Sequence, residues 1–438
     1  MSPRLARPVT SQRGMASLIT VMVLFFVVAM VAAYTSRNMI FEQRTSVNQL
    51  RSTQALEAAQ SGLEWATGLL NAGRVTDACL PSTSGADGSF RQRYLDINAD
   101  SAAITPRKQS NAADLVAACV ATTAGWSCNC PADGDWSLSA PSDTEIRPAF
   151  VVRFTQVSQR VRTVRIEVNG CTRLDTTCLS FAVADRSGST DGRALASAIV
   201  SMKSGLPTMP TAAITARGNV SGDVHAYNTD ASVAGITVQS GGLVTVADSR
   251  LHSVPGTPPE SSKLENEPLF ASAKLAGTPA VIGDRMFAAH FGLWPNSYRD
   301  QPASVVLTCT PTCNDAVLRT AIADNPTRMV WVSGNLSIDT AADVGSASAP
   351  VVIFTTGSVT FTAPATVYGV IYGGRDSNVA PGAFNLSGAG TIRGALIAEH
   401  AMVGAGDTSV VFDAAVLKRI RQTTGSFVLV PGTWKDFR

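Results

Sequence analysis

The sequence predicts an α+β protein: a long amino-terminal transmembrane and amphipathic helix, then an antiparallel sheet, then a carboxyl-terminal β-helix-like (β-solenoid) domain. Three observations carry that prediction. Met15 to Tyr34 is a run of twenty residues without a charge. The stretch "AFVVRFTQVSQRVRTVRIEVNGC" alternates apolar and polar positions around a polar turn, which is strand periodicity. Beyond Ser204 the chain becomes a series of short β-branched runs broken by Gly, Asn, Ser and Asp.

The apolar run comes first because it fixes the setting of everything after it. Twenty helical residues at about 1.5 Å each span roughly 30 Å, the thickness of a bilayer core. A secretory signal has an apolar core of only about 7 to 15 residues and a small-x-small cut site. Arg4, Arg7 and Arg13 precede the block with no acidic residue among them. The positive-inside rule therefore places the amino-terminus in the cytoplasm and the bulk of the chain outside. Good helix formers continue without proline, and Leu56, Ala59, Leu63, Ala66 and Leu70 recur at spacings of three and four. These predict a single helix from Met15 to about Leu70, on the order of 80 Å long, with its second half laid against a soluble domain.

Charged residues make up 16% of the 438, and the net charge is +2, which argues against a nucleic-acid-coating protein or a disordered polyanion. Eight cysteines form an even set, as expected of a chain exported to an oxidising compartment. A structural zinc site wants close-spaced pairs, commonly with two residues between the members, and no pair here has that spacing. No metal or cofactor is expected. Cys171 with Cys178, and Cys309 with Cys313, are expected to close local disulfides; the pairing among Cys79, Cys119, Cys128 and Cys130 stays open.

Between Cys79 and Pro148 the composition reads as a loop-rich, disulfide-tied segment. The alternation at Phe150, Val152 and Phe154, then Val164, Ile166 and Val168, predicts a hairpin, and Leu179 to Lys203 adds strands. "SGLPTMPTAA", Ser204 to Ala213, is a proline-bearing boundary. After it, Val359–Tyr372 aligns with Phe384–Ile397 at an offset of 25, placing Gly369 on Gly394, and "SVVFDAAVL" from Ser409 continues that register. "MVWVSGNLSI" at Met329 precedes a similar "VVIFTTGSVT" at Val351, offset about 22. Such a period is one turn of a parallel solenoid, each coil covering its neighbour's apolar face; an antiparallel sandwich is the competing architecture. Pro268–Trp294 and Asn314–Ala323 read as partly helical, the latter capped by Asn314 or Asp315, and are expected to cover an open solenoid edge.

Solenoids also host polysaccharide-acting enzymes, which need paired carboxylates. Twenty-five residues after Asp376 is Ala401, and twenty-five before Glu399 is Gly374, so the repeat stacks no acids. His225, His252, His290 and His400 are scattered and read as turn or surface residues. The loop Gly373 to Asn378 has one aspartate, a poor calcium site. Lys418, Arg419 and Arg421 read as a solvated helix face, so DNA is not an expected partner. No catalytic residue is nominated and no enzyme is expected.

The leader "RGMASLI", Arg13 to Ile19, a basic segment ending in glycine directly before an apolar helix, resembles the class III signal of type IV pilins. "QALEAAQSGLEWA" resembles the corresponding stretch of PilX-type minor pilins, and "ITARGNV" and "VYGVIY" with "IRGALIA" resemble the glycine-rich β domain of large members. The resemblance implies a leader over 1–14, cut by prepilin peptidase between Gly14 and Met15. It further implies a pilin-like helix over 15–72 (transmembrane over 15–34), a pilin-like α+β region over 73–205 and a solenoid-like domain over 206–438. Leu18, Ile19, Val21 and Val23 would then pack against sister subunits. Bulk pilins carry a glutamate at the fifth mature position; Ile19 stands there, which fits a rare or terminal subunit. The implied partners are the inner membrane, prepilin peptidase, other minor pilins, the major pilin and a tip adhesin. The implied location is the inner membrane and the type IV pilus at the cell surface. The alternatives are a bitopic surface adhesin outside any pilus and a β-helix enzyme acting on polysaccharide.

Overall fold

With no proline and few glycines to interrupt it, the segment Arg13–Leu70 forms one helix of 58 residues, roughly 87 Å at the standard rise. The computed structural model describes residues 13–133, 146–181, 192–271, 285–374 and 382–436. The helix ends where Asn71 and Gly73 follow, and the Asn71 side chain donates back to the Thr67 carbonyl at 3.3 Å. From residue 17 to residue 50 every helical residue is exposed; from Ala55 onward one face is buried. Ala59, Leu63, Ala66 and Leu70 lie in the core as the spacing predicts, but Leu56 is only half-buried and Ala55 is fully buried in its place. The reason is close approach. Gly170, on the strand beneath, passes so near that a Cβ there would sit 2.0 Å from the Ala55 carbonyl oxygen, so only small residues fit on both sides.

That strand belongs to a six-stranded antiparallel sheet ordered Gly425–Leu429, Arg193–Ser204, Thr163–Cys171, Ala149–Gln156, Val116–Thr122, Gly125–Asn129. The expected hairpin is its centre: Phe154 pairs with Ile166 and Val152 with Val168, and all four side chains are buried against the helix. Only Arg193–Ser204 is seen of the strands expected over 179–203, because 182–191 lie outside the described residues. The segment from Cys79 to Pro148 is more ordered than its composition suggests. It holds a short helix, Phe90–Tyr94, with a full capping box from Ser89 and Gln92, and four strands. All eight cysteines pair: Cys79–Cys130, Cys119–Cys128, Cys171–Cys178 and Cys309–Cys313.

The sheet's edge strand Gly425–Leu429 was expected in the carboxyl-terminal domain. It returns instead to pair antiparallel with Arg193–Ser204. Its register is fixed from the helix end: Asn71 Oδ1 accepts from the Phe427 amide at 2.7 Å, and Asn71 Nδ2 donates to the Phe427 carbonyl at 2.9 Å. An interior carboxamide that satisfies both groups of a buried peptide leaves no polar atom orphaned there.

Between those two strands, residues 206–424 build the second module. Among the described residues its sheet has thirteen strands, all paired in parallel, an arrangement unlike an antiparallel sandwich. Each coil stacks on the next with Val, Ile and Leu inside, among them Val332, Ile353, Ile371, Leu396 and Ile214. The repeat at 25 is the true register for Thr366–Gly373 on Thr391–Ala398, with Gly369 on Gly394. Elsewhere the register slips. Val359 pairs with Leu386, not Phe384, because the link from Phe361 to Thr366 is two residues longer than its counterpart from Gly388 to Thr391. Val330 pairs with Ile353, an offset of 23, and Ser409 pairs with Thr391, an offset of 18.

The coils are also not stacked in chain order. Ile214–Ala216 pairs with Leu396–Ala398, and Val220–Tyr227 with Met402–Phe412. The first coils of the module therefore extend the stack beyond the last ones. At the far end the helix Asp315–Asp324 caps the stack, its Asn314 side chain accepting from the Val317 amide at 3.1 Å and Leu318 buried among the interior residues. The other predicted helical stretch behaves differently. Arg285–Phe291 lies on the outer face of the coils, not across an edge, because Phe287 and Phe291 pack on the stacked rings of Trp331, Phe354 and Tyr372; 272–284 lie outside the described residues.

Candidate functional site

The amino-terminal half of the long helix is the feature that a soluble fold does not explain. Leu18 is 68% exposed, Ile19 60%, Val21 67% and Val23 57%, and among the described residues every position of the helix from 17 to 50 is exposed. It is the one helix among the described residues long and apolar enough to cross a membrane, with a mean hydropathy of 2.5 in its most apolar window. Bare apolar surface of this length is costly in water, at about 25 cal/mol per Å². Two threonines of the apolar stretch bond back to the helix itself. Thr20 donates to the Ser17 carbonyl at 3.0 Å and Thr35 to the Val31 carbonyl at 2.9 Å, so neither hydroxyl asks for water. Gly14 and Met15 fall in the first turn of the helix, where the amide groups have no intrahelical acceptor; residues 1–12, including Arg4 and Arg7, lie outside the described residues.

The second half is held rigidly. Gly62 admits the Phe150 ring, which a Cβ would meet at 2.7 Å, and Trp65 packs edge-on against Phe90 and Phe150. Below it, Arg93, buried, ties the disulfide-bearing segment together. It pairs with Asp77, and with Asp87 at 3.2 Å, and donates to the Val75 and Cys130 carbonyls at 2.6 and 2.8 Å. A buried cation so surrounded holds its position through both charge and hydrogen bonds. No signal in the sequence marked this arginine.

The two modules meet at the helix Ala414–Thr423. Its apolar face, Val416, Leu417 and Ile420, packs on the coils, while Lys418 reaches Asp100 of the first module at 3.2 Å and Gln422 accepts from Arg162 at 3.0 Å. The basic cluster Lys418, Arg419, Arg421 is thus a module contact at one member at least, not simply a solvated face.

The histidines divide. His225 and His252 stand on neighbouring coils and stack with Tyr227, whose ring is 4.2 Å from that of His252. Burial, then Arg250 and His252, depress the His225 imidazole. His290 and His400 are buried, not at the surface as their scatter suggested. His290 is depressed by burial and its Nδ1 lies 3.3 Å from the Thr208 carbonyl; His400 Nδ1 lies 2.9 Å from Arg217. Among the described residues no group of three or more His, Cys, Asp or Glu is placed to hold a metal ion. The Gly373–Asn378 loop lies outside the described residues from 375 onward.

Residues 13–64 match the family model PilX N-terminal. The match covers the bare half of the helix and the part docked on the sheet as far as Glu64. No curated protein matches the chain. The competence-associated pilin ComZ from Thermus thermophilus is similar at 11% identity over 88% of this chain and 97% of that one, with a TM-score of 0.22, too low to support a shared architecture.

Proposed function

We propose that this chain, whose amino-terminal segment is a PilX-type pilin domain, is a minor pilin of a type IV pilus. The observation that supports the reading is the division of one helix. Its matched segment begins at Arg13, directly before the Gly14–Met15 bond, runs uncharged from Met15 to Tyr34 and bare as far as Leu50, and then locks onto an antiparallel sheet. In this reading the chain spans the inner membrane once, with its carboxyl-terminus in the periplasm. Prepilin peptidase removes residues 1–14, and the bare helix exchanges lipid for the helices of the major pilin and other minor pilins. Helix packing in both settings buries the same apolar surface, so the transfer is nearly balanced and small contacts decide it.

Ile19 at the fifth mature position brings no carboxylate to neutralise a neighbour's amino-terminus, and an unpaired charge in an apolar core is costly. With a large second module carried outside the sheet, this favours low copy number, at or near the tip, where the coiled domain would meet surfaces or an adhesin. The role is structural, with no reaction assigned. Mapping the mature amino-terminus in cells with and without prepilin peptidase tests it. Met15 is expected first only when the peptidase is present, and the processed chain is expected in sheared fibres. An intact leader on fibre-associated protein overturns the reading.

A further inference from the structure

One end of the coiled stack is the coil that carries Val238–Ser240 and Leu251–His252. The first of these strands pairs with Ile214–Ala216, and the second pairs with Ala226 and Tyr227 alone. Beyond them, among the described residues, the sheet has just Lys263–Leu264, paired with Val238 and Gln239. A coil with a neighbour on one side and so few backbone bonds opens at lower cost than the interior of the stack. The side chains that tie it down therefore count for more.

Arg250 is the polar tie. It leads directly into Leu251–His252 and reaches back over the preceding coils. Its Nη1 donates to His225 Nε2 at 3.0 Å and lies 3.5 Å from Asp407, and its Nη2 lies 3.4 Å from Asp223. Both carboxylates are largely exposed, so solvent screens their hold on it. The bond to His225 is the short one, and it fixes the state of the imidazole. A guanidinium only donates, so Nε2 accepts and the neutral ring keeps its proton on Nδ1. Nδ1 is shut off from solvent and has no acceptor among the described residues. A second proton, on Nε2, would point at the Arg250 N–H, and Asp407 at 3.9 Å is too distant to accept it. The protonated ring would thus hold a charge with neither N–H satisfied. The charged and titratable groups facing it are Arg250 and His252 from the end coil, Asp407 from Met402–Phe412, and Asp223 and Tyr227 from its own strand. Burial, then Arg250 and His252, lower its proton affinity, and the two aspartates offset only part of that.

We propose that His225 is an acid-sensitive latch on this end coil: its protonation expels the Arg250 guanidinium and frees residues 238–252 from the stack. The sign follows from the form that the fold holds. The folded chain binds this proton less readily than the unfolded one, so the latch is whole above the ordinary imidazole range and is lost as pH falls below it. Release uncovers the backbone edge at Ala226 and Tyr227, now paired with Leu251 and His252. Unpaired edges of that kind accept other strands. The device belongs to the coiled module and stands apart from the pilin reading.

The test is hydrogen exchange, read by mass spectrometry on the full chain in detergent at about pH 7.5 and about pH 5.5, corrected for the intrinsic pH dependence of exchange. In acid, protection across 238–252 is expected to fall about tenfold or more, including that of the Thr245 amide, which donates to the Val220 carbonyl at 2.9 Å. Residues 391–398 are expected to stay protected. His225→Gln keeps an acceptor for Arg250 and has no proton to gain, so it is expected to remain protected at both values. Arg250→Gln removes the tie without touching the histidine and is expected to show the loosened pattern at both. Undiminished protection of 238–252 in acid, equal loss across 391–398, the same acid response in His225→Gln, or full protection of Arg250→Gln at the higher pH each overturns the proposal.

Discussion

Asp315 shows how a single carboxylate is fixed by its neighbours. Its side chain is 1% exposed and pairs with Arg319 at 3.1 Å. Burial pushes its carboxyl up, but hydrogen bonds from Asp339, Thr340 and Arg319 outweigh that and hold it at about 2. Asp339 moves the other way, raised by its hydrogen bond to Asp315, by partial desolvation and by the Asp315 charge. The signs separate the two. Asp315, depressed, contributes stability at pH above its ordinary value and loses it as pH falls toward 2. Asp339, raised, contributes stability below its ordinary value and loses it as pH rises through the raised one. Asp339→Asn keeps a donor facing Asp315 without a proton to lose. It is therefore expected to raise the melting temperature at about pH 7 and to leave it unchanged at about pH 3; scanning calorimetry at both values checks this, and equal shifts at both would contradict it. None of this was legible beforehand, because Asp315 and Asp339 are 24 positions apart and meet only through the coil register.

At the scale of elements, spacing in the sequence located the helices and strands better than it located their neighbours. The hairpin at Ala149–Gln156 and Thr163–Cys171, the cap at Asn314 and the Gly369–Gly394 register were readable, since each depends on local periodicity or on a repeat. The stacking of Ile214–Ala216 on Leu396–Ala398 was not, because partners 182 residues apart leave no periodic trace. The cysteines follow the same division: the pairs separated by 7 and 4 residues were readable, whereas Cys79–Cys130 and Cys119–Cys128 needed the fold. Their loops also predict unequal contributions. Cys79–Cys130 closes a separation of 51 residues and Cys309–Cys313 one of 4, which in the chain-entropy account are worth about 4 and about 2 kcal/mol. Paired Cys→Ser variants of each bridge, compared by denaturant midpoint, are expected to keep that order; a larger loss from the shorter loop would refute it.

For the molecule as a whole, the long helix has one bare half and one docked half, and the chain leaves the first sheet near residue 205 only to come back to it. The second module is an insertion within the first sheet, leaving it at Ser204 and coming back at Gly425. Phe427, buried under the helix with the Arg91 guanidinium 5.1 Å from its ring centroid, closes that return. Phe427→Ala is expected to cost about 3–5 kcal/mol and to act on the first module. Hydrogen exchange should then quicken across 149–171 while 351–373 and 384–398 stay protected, and equal loss in both modules would show that they unfold as one. The paired crossing has a mechanical meaning as well. Tension applied to the coiled domain would be divided between two covalent tethers entering adjacent strands, and those antiparallel neighbours would be loaded side by side. A single linker would concentrate the same pull on one strand and peel it away.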